Sequence, residues 1–215
     1  MSNITLEYNL VDPDKKTTAK AFLIFAHGAG ADMHSAFIED FTSRLNKINC
    51  NVVRFNFPYM DKRLLDGKRR PPDRMPKLIT CFEQVISQIA TTLPIILIGK
   101  SMGSRVAASI VANEEFNVSG VICLGYPFHP QKKPEKLRLE PLQATSKPIL
   151  IVQGDRDALG SKNEIQEYQL SPLCELVYLP DGDHDLKPRV KSGFTHQQHL
   201  SSAIIEITRF IDEVI

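Results

Sequence analysis

Short apolar runs alternate along this chain with longer stretches whose apolar residues recur at helical spacing. The runs occupy residues 21–26, 52–57, 95–98, 118–124, 149–152 and 176–179. Strands of a parallel sheet have this near-continuous apolar character because helices cover both of their faces. The alternation therefore predicts an α/β fold with a mostly parallel central sheet and helices on both faces. Residues 5–11 alternate between polar and apolar and predict an antiparallel edge strand.

Helical periodicity fills the intervals between these runs. Residues 35–48 and 75–93 each carry an apolar stripe, and shorter helices are expected at 102–112, 162–168 and 197–214. We find no internal repeat, low-complexity tract or interdomain linker. A chain of 215 residues can bury one sizeable core, so we expect a single domain over residues 1–215.

Two long stretches rich in proline and charge follow predicted strands, at 58–72 and 126–141. Both belong at the carboxyl ends of their strands, which is the edge of an open α/β sheet where ligands bind. No long helical insertion follows the strand at 118–124, so we expect no large lid and a site open to small substrates.

Composition and charge exclude several classes of function. The net charge of +1 lacks the basic excess of a nucleic-acid-binding domain. No apolar run approaches the length that spans a membrane, and the first residues lack the pattern of a signal peptide. The four cysteines are widely spaced and predict reduced thiols rather than a zinc site. These features favour a cytoplasmic protein with no nucleic-acid or membrane partner.

The segment Gly99-Lys100-Ser101-Met102-Gly103 fits the pattern G-x-S-x-G. A nucleophilic serine of this kind sits on a strained turn between a buried strand and a helix, and the glycines allow close approach. The apolar run 95–98 before it and the helical stretch after it supply that context. Ser101 is therefore the candidate nucleophile.

Other interpretations of the glycine-containing turns are weaker. Ser101 would otherwise be an ordinary turn residue. Gly99-Lys100-Ser101 also resembles the end of a phosphate-binding P-loop, but Pro94 stands where that motif requires its first glycine. Gly28-Ala29-Gly30 lacks the third glycine of a dinucleotide-binding fingerprint, because Met33 occupies that position. We therefore expect no nucleotide cofactor.

A serine hydroxyl needs a base to take its proton and a carboxylate to orient that base. On a sheet of this type the acid and then the histidine follow the serine, each on a loop after a later strand. The run 149–152 leads to Asp155 and Asp157, and the run 176–179 leads to His184. Alternatively, these aspartates are turn formers and the histidine is a solvated loop residue.

Two other histidines, His196 and His199, stand near a predicted helix start. We interpret them as surface residues rather than metal ligands, and no H-E-x-x-H pattern points to a metal.

Acyl transfer also requires two backbone NH groups that stabilise an oxyanion. The segment 27–31 ends the first core strand with small residues, as expected of a loop that contacts bound substrate. The candidate donors are the NH groups of Ala29 and Met102, and Gly30 is a candidate substrate contact. A tight strand-to-helix turn is the structural alternative for this loop.

Together these elements resemble the α/β-hydrolase superfamily over nearly the whole chain. Residues 101–108, 125–130 and 136–138 are most similar to a branch labelled dienelactone-hydrolase-like. That branch includes bacterial proteins, a testis-expressed animal protein and a subunit of a histone acetyltransferase complex. The resemblance implies the fold and a triad in which Asp157, three residues after Gly154, is preferred to Asp155. Dienelactone hydrolases proper usually use a cysteine nucleophile, whereas this chain has Ser101.

Positive charge is concentrated in two loops that should flank the site. Residues 61–74 and 129–138 each carry an excess of three positive charges. One hypothesis is that they favour anionic acyl substrates, and the other is that they are solvated loops.

Tyr126 and Phe128 are candidate acyl-pocket residues, although the same segment would also serve to cover the sheet edge. Arg105 lies in a helix expected to be buried, so we predict a carboxylate partner for it.

These observations predict a serine hydrolase, carboxylesterase-like, that acts on small ester or related acyl substrates through an acyl-enzyme. The predicted catalytic residues are Ser101, Asp157 and His184, with no cofactor and no metal. A thioesterase or a peptidase would need the same residues. The alternative from another class is a binding or scaffold protein on a hydrolase fold, with a protein complex partner.

Overall fold

The structure is a computed structural model that describes residues 4–12, 18–112 and 116–215. Within these residues a seven-stranded sheet has the strand order β1-β3-β2-β4-β5-β6-β7. The strands are β1 (Leu6–Asn9), β2 (Ala21–Ala26), β3 (Cys50–Phe55), β4 (Ile95–Lys100), β5 (Gly120–Leu124), β6 (Ile149–Gly154) and β7 (Cys174–Leu179).

All neighbouring strands run parallel except β1, which pairs antiparallel with β3. Leu6 lies opposite Phe55, and Asn9 lies opposite Val52. The predictions of a mostly parallel sheet and of an antiparallel edge strand are therefore confirmed.

Seven α-helices lie in the described ranges and cover both faces of the sheet. They are α1 (Ala36–Lys47), α2 (Pro58–Asp66), α3 (Met75–Gln88), α4 (Met102–Ile110), α5 (Glu140–Gln143), α6 (Lys162–Ile165) and α7 (His196–Val214). Apolar residues of α1 and α7 form one core layer with one face of the sheet, and residues of α2 to α6 pack on the other face.

Strand β2 illustrates why the strands have apolar residues at successive positions. Phe22 and Ile24 belong to the core layer beneath α3 and α4, whereas Leu23 and Phe25 belong to the layer beneath α1 and α7. Successive side chains of a strand point to opposite faces. Because both faces are covered here, both sets of side chains are buried.

The largest departure from the sequence prediction is helix α2, which occupies the start of the stretch 58–72 interpreted as a loop. Pro58 stands in its first turn and Gly67 ends it in a left-handed conformation with φ 69°. Proline is favoured in the first turn and glycine just after the last. The short helix α5 was also missed, and β3 begins and ends two residues before the predicted 52–57.

Two further findings concern the cysteines and the lengths of the helices. The four cysteines, at positions 50, 81, 123 and 174, are free thiols. In the described part of the chain, no helix is both long enough and apolar enough to cross a membrane.

The sheet order creates a crevice between β2 and β4. The chain leaves β2 towards β3 on one side, and it returns to β4 on the other side. Loops that follow the carboxyl ends of two such strands diverge, and ligands bind in the gap between them. The segment that begins at His27 and the turn at Ser101 follow β2 and β4 respectively, so both predicted motifs border this crevice.

Candidate active site

Ser101 occupies a sharp turn between β4 and α4. Its backbone dihedrals are φ 53° and ψ −114°, a conformation that side chains other than glycine rarely adopt. The Ser101 NH donates to the Leu124 carbonyl at 3.0 Å, and the Ser101 carbonyl accepts the Arg105 NH at 3.3 Å. The strand ladder and the first turn of the helix thus hold the strained residue from both sides.

The two glycines of the motif are required by close backbone approach. A Cβ atom on Gly99 would lie 2.2 Å from the Gly103 carbonyl carbon, and one on Gly103 would lie 2.3 Å from the Ala26 carbonyl oxygen. These distances are shorter than any real contact between such atoms. The glycines therefore allow α4 to begin directly against the ends of β2 and β4.

Three side chains predicted from separate loops form one hydrogen-bonded chain. The Nε2 atom of His184 lies 2.7 Å from Ser101 Oγ. The Nδ1 atom of the same ring lies 2.8 Å from Asp157 Oδ2. When Nδ1 carries the proton and donates a hydrogen bond to the carboxylate, Nε2 has the lone pair that can accept the serine proton.

The carboxylate of Asp157 is buried, with 1% of its surface exposed, and it is fixed by further donors. Its Oδ1 atom accepts the Leu159 NH at 2.8 Å. Its Oδ2 atom accepts Nε2 of Gln153 at 2.9 Å. The same Gln153 nitrogen lies within 3.2 Å of the carbonyl oxygens of Tyr126 and Gly160. Sequence reasoning missed Gln153, because its partners become neighbours only in the fold.

Lys100, the residue before the candidate nucleophile Ser101, contacts the loop that carries His184. Its Nζ atom donates to the His184 carbonyl at 2.6 Å and lies 3.2 Å from the Asp185 carboxylate. Burial lowers the pKa of Lys100 from its usual value, and the charge of Asp185 opposes that change. Because a buried ammonium needs such partners, Lys100 ties the end of β4 to the histidine loop.

His27 and Tyr59 hold the loop after β2. Nδ1 of His27 donates to the Gly28 carbonyl at 2.7 Å, and Nε2 accepts the Phe57 NH at 3.0 Å. The Tyr59 hydroxyl donates to the Ala29 carbonyl at 3.0 Å. Burial lowers the pKa of His27 to about 4, which keeps the ring neutral in this arrangement. Tyr59 was missed because it lies on α2.

The NH groups of Ala29 and Met102 have no protein acceptor among the described residues. Met102 is the first residue of α4, and the first NH groups of a helix have no partner within it. Both residues line the same cavity as Ser101. The predicted donor pair is therefore available to a ligand at the candidate nucleophile, Ser101.

Ser101 and Ala29 lie where two cavities meet. The first cavity, of about 510 Å³, lies between the loop after β2, Phe37, Ile38, His184 and His196. The second cavity, of about 450 Å³, is lined by Pro72, Asp73, Met102, Arg105, Arg138 and Leu159. Parts of the stretches 61–74 and 129–138 border the second cavity, and Arg138 is the basic residue that they contribute to its lining.

The three predicted substrate contacts, Gly30, Tyr126 and Phe128, differ in whether they reach a cavity. Gly30 lines the first cavity. Tyr126 and Phe128 are both 0% exposed, so neither presents a surface to a substrate, and the structure assigns them to the core. The Tyr126 hydroxyl instead donates to the Arg138 carbonyl at 2.8 Å.

The prediction that His196 and His199 are surface residues is corrected. His199 is buried, and its Nδ1 atom lies 2.9 Å from the Leu186 carbonyl. His196 is partly exposed and lines the first cavity, with its Nε2 atom 3.0 Å from the Asp185 carbonyl. The helix start at His196 lies against the loop that carries His184, a contact that helical periodicity does not reveal.

The predicted carboxylate partner of Arg105 is absent from the part of the chain that the structure describes. Its buried Nε atom has no hydrogen-bond partner there. Arg105 faces the second cavity rather than a neighbouring element, so this expectation was wrong.

Comparison with known proteins agrees with this architecture. Residues 19–212 match the family described as alpha/beta hydrolase domain. Three solved structures are similar at low sequence identity. Est1E from Butyrivibrio proteoclasticus with bound ferulic acid has a TM-score of 0.68 and 18% identity, over 98% of this chain and 96% of that one. A dienelactone hydrolase from Anabaena variabilis has a TM-score of 0.70 and 19% identity, over 98% and 92%.

The third, XC6422 from Xanthomonas campestris, is described as an α/β serine hydrolase without a lid. Its TM-score is 0.71 and its identity is 19%, over 96% of this chain and 89% of that one. The family match spans far more than half of the chain, and the dienelactone hydrolase and the lidless hydrolase share its fold. This chain therefore belongs to the α/β-hydrolase superfamily.

Proposed function

We propose that this protein is a serine hydrolase that cleaves small carboxylic esters through an acyl-enzyme on Ser101. The observation that carries the proposal is the continuous hydrogen-bonded chain from Asp157 through His184 to Ser101. It ends where two cavities meet, beside two NH groups that have no acceptor in the described structure. Such a constellation is recognised by its geometry and roles rather than by residue positions.

In the acylation step, His184 Nε2 takes the proton from Ser101 Oγ as the oxygen attacks the ester carbonyl carbon. The carbonyl oxygen becomes an oxyanion, which accepts hydrogen bonds from the NH groups of Ala29 and Met102. Asp157 stabilises the positive imidazolium. The tetrahedral intermediate collapses as His184 donates its proton to the alkoxide, the bond to the alcohol oxygen breaks, and an acyl-serine remains.

Deacylation repeats the same steps with water. His184 takes a proton from the water molecule, whose oxygen attacks the acyl carbon and forms a second oxyanion at the same two NH groups. The serine oxygen then leaves with the proton from His184, and the carboxylic acid is released. Side chains of this chain supply every proton transfer, so the proposal invokes no cofactor.

Small substrates are supported by the shape of the site. The two cavities have volumes of about 510 and 450 Å³, the range of pockets that hold single small molecules. The similar solved structures include Est1E with bound ferulic acid and a serine hydrolase without a lid. Thioesters fit the same chemistry. Peptides are poorer candidates because their amine leaving group departs less readily.

Backbone strain favours an enzyme over a binding protein on the same fold. A residue held at positive φ costs on the order of 1–3 kcal/mol, and such strain accumulates at functional sites. Ser101 is strained in this way, and its hydroxyl is directed at His184.

The test is hydrolysis of short p-nitrophenyl esters by wild type, Ser101→Ala and a matched variant, Ser35→Ala. Ser35 lines the first cavity but has no histidine partner among the described residues. We expect Ser101→Ala to reduce kcat by at least about a thousandfold, and Ser35→Ala to keep most of the activity. Folded wild type without hydrolysis, or equal activity in Ser101→Ala, would contradict the proposal.

A further inference from the structure

Two arginines line the second cavity without an acidic partner in the described residues. Arg105 lies one helical turn after Ser101, and Arg138 enters from the basic stretch 129–138. Neither side chain forms an ion pair or hydrogen bond within the described ranges, and the buried Nε atom of Arg105 is unsatisfied. Partial burial of a guanidinium without a partner costs free energy of folding. Folding alone therefore does not account for the two arginines at this cavity.

The backbone around Arg138 is fixed rather than loose. Its NH donates to the Phe128 carbonyl at 2.8 Å, and its carbonyl accepts the Tyr126 hydroxyl at 2.8 Å. Burial and the charge of Arg105 both lower the pKa of Arg138. The fold therefore holds two like charges near each other at the wall of one cavity.

The acidic residue that lines the second cavity already has a cationic partner. Asp73 also lines the second cavity, and its Oδ1 atom lies 2.8 Å from Lys77 Nζ. Glu140 lies beside the two arginines in an adjoining cavity but is not ion-paired with either in the described structure. Lys77 offsets Asp73, so the second cavity keeps the positive charge of its two arginines.

The position of His184 indicates which part of an ester would meet these arginines. In the proposed mechanism His184 donates a proton to the departing alcohol, so the alcohol must lie on the histidine side of Ser101. His184 lines the first cavity and does not line the second. The acyl group then extends into the second cavity, towards Arg105 and Arg138.

We propose that the acyl part of the substrate ends in an anionic group, which Arg105 and Arg138 bind. The substrates would be half-esters of dicarboxylic acids, or their thioesters, and hydrolysis would release the dicarboxylate and the alcohol. This inference rests on the proposed function. A guanidinium presents a planar set of donors that matches a carboxylate, and charge-assisted pairs of this kind are strong.

Helix geometry sets the length of a suitable acyl chain. Four residues of α-helix rise about 6 Å, and helical side chains tilt towards the amino end of the helix. The Arg105 side chain therefore leans back towards Ser101. A succinyl or glutaryl chain spans a comparable distance from its ester carbon to its free carboxylate.

The experiment compares two esters that share their alcohol and their acyl chain length. The p-nitrophenyl half-ester of glutaric acid carries a free carboxylate, whereas p-nitrophenyl pentanoate is neutral. Preference is the ratio of their kcat/KM values, with Ser101→Ala supplying the background rate for each. The variants are Arg105→Met, Arg138→Met, the conservative Arg138→Lys and the control Arg74→Met, which removes an exposed positive charge outside the cavity.

We expect wild type to prefer the half-ester, and each arginine-to-methionine variant to reduce the preference by about tenfold or more. Arg138→Lys should retain part of it, and Arg74→Met all of it. The inference is overturned if wild type hydrolyses both esters equally, if the preference survives both methionine variants, or if Arg74→Met removes as much. Hydrolysis of neither ester by folded protein would instead contradict the proposed function.

Discussion

The Lys100 ammonium donates a hydrogen bond of 2.6 Å to the carbonyl oxygen of His184. The two residues are 84 positions apart in sequence. Lys100 is only 8% exposed, and its Nζ atom lies 5.5 Å from the centre of the Phe37 ring. The residue next to the candidate nucleophile therefore positions the loop that carries the candidate base.

Lys100→Met should uncouple the histidine loop from the nucleophile. Methionine keeps the aliphatic bulk but loses the donor to the His184 carbonyl. We expect kcat to fall about ten- to a hundredfold, since small misplacements of a catalytic group have effects of this size, with KM nearly unchanged. Steady-state kinetics measure this, with the exposed Lys191→Met as control. A variant with wild-type kcat would show that the contact does not position His184.

Gln153→Leu should destabilise the fold and leave the Asp157 carboxylate less firmly positioned. The substitution leaves three buried acceptors, on Asp157, Tyr126 and Gly160, without the Gln153 donor. Asp157 keeps His184 and the Leu159 NH, and the Tyr126 carbonyl keeps the Phe128 NH. The Gly160 carbonyl is therefore the acceptor left without a donor among the described residues. A buried polar group that loses its partner costs about 1–3 kcal/mol. We expect the free energy of unfolding to fall by about this amount, measured by urea denaturation.

The matched control for Gln153→Leu is Gln143→Leu. Gln143 donates one exposed hydrogen bond, to the Gln169 carbonyl, so its replacement should cost less than about 1 kcal/mol. Equal losses of stability in the two variants would contradict the role assigned to Gln153.

Gly103→Ala should be strongly destabilising, whereas Gly30→Ala should not. A Cβ atom on Gly103 would meet the Ala26 carbonyl oxygen at 2.3 Å, but one on Gly30 would meet nothing within 4 Å. Overpacking against backbone costs about 1–3 kcal/mol or more. Thermal unfolding should separate the two variants clearly, and similar melting temperatures would contradict the packing of α4 against β2.

The lowered pKa of His27 predicts how the stability of the fold depends on pH. Burial lowers its pKa to about 4 from 6.5, so between these values the unfolded chain binds a proton that the folded protein does not. Stability should therefore decline as pH falls through this window, by on the order of 2–3 kcal/mol from this group. Unfolding free energies at pH 7 and pH 4.5 should differ less in His27→Gln. An unchanged difference would contradict a neutral, buried His27.

The sheet was predictable because burial on both faces leaves a local signature. Runs such as 21–26 and 149–152 are apolar throughout, and each is a strand in the structure. Helix α2 lacked that signature, since its residues mix charge with aromatic and apolar groups. Its proline and glycine boundaries at Pro58 and Gly67 were the available signal.

The candidate triad could be proposed from the sequence because strand ends and chain order place its members. The residues that support the triad could not be predicted in this way. Gln153, Tyr59 and Lys100 contact partners that are brought together only by the fold. Arg105 illustrates the same limit. Helix position predicted burial and hence a carboxylate partner, whereas the neighbouring loop leaves a cavity beside it.

The most direct test of the central claim is labelling with a fluorophosphonate probe, followed by mass spectrometry to locate the phosphonylated residue. Such probes react with a serine whose hydroxyl is activated by a base. The account predicts one adduct, on Ser101, that is lost in Ser101→Ala and strongly reduced in His184→Ala while Ser35→Ala labels normally. Folded wild-type protein that remains unlabelled, or that is labelled equally after His184→Ala, would contradict it.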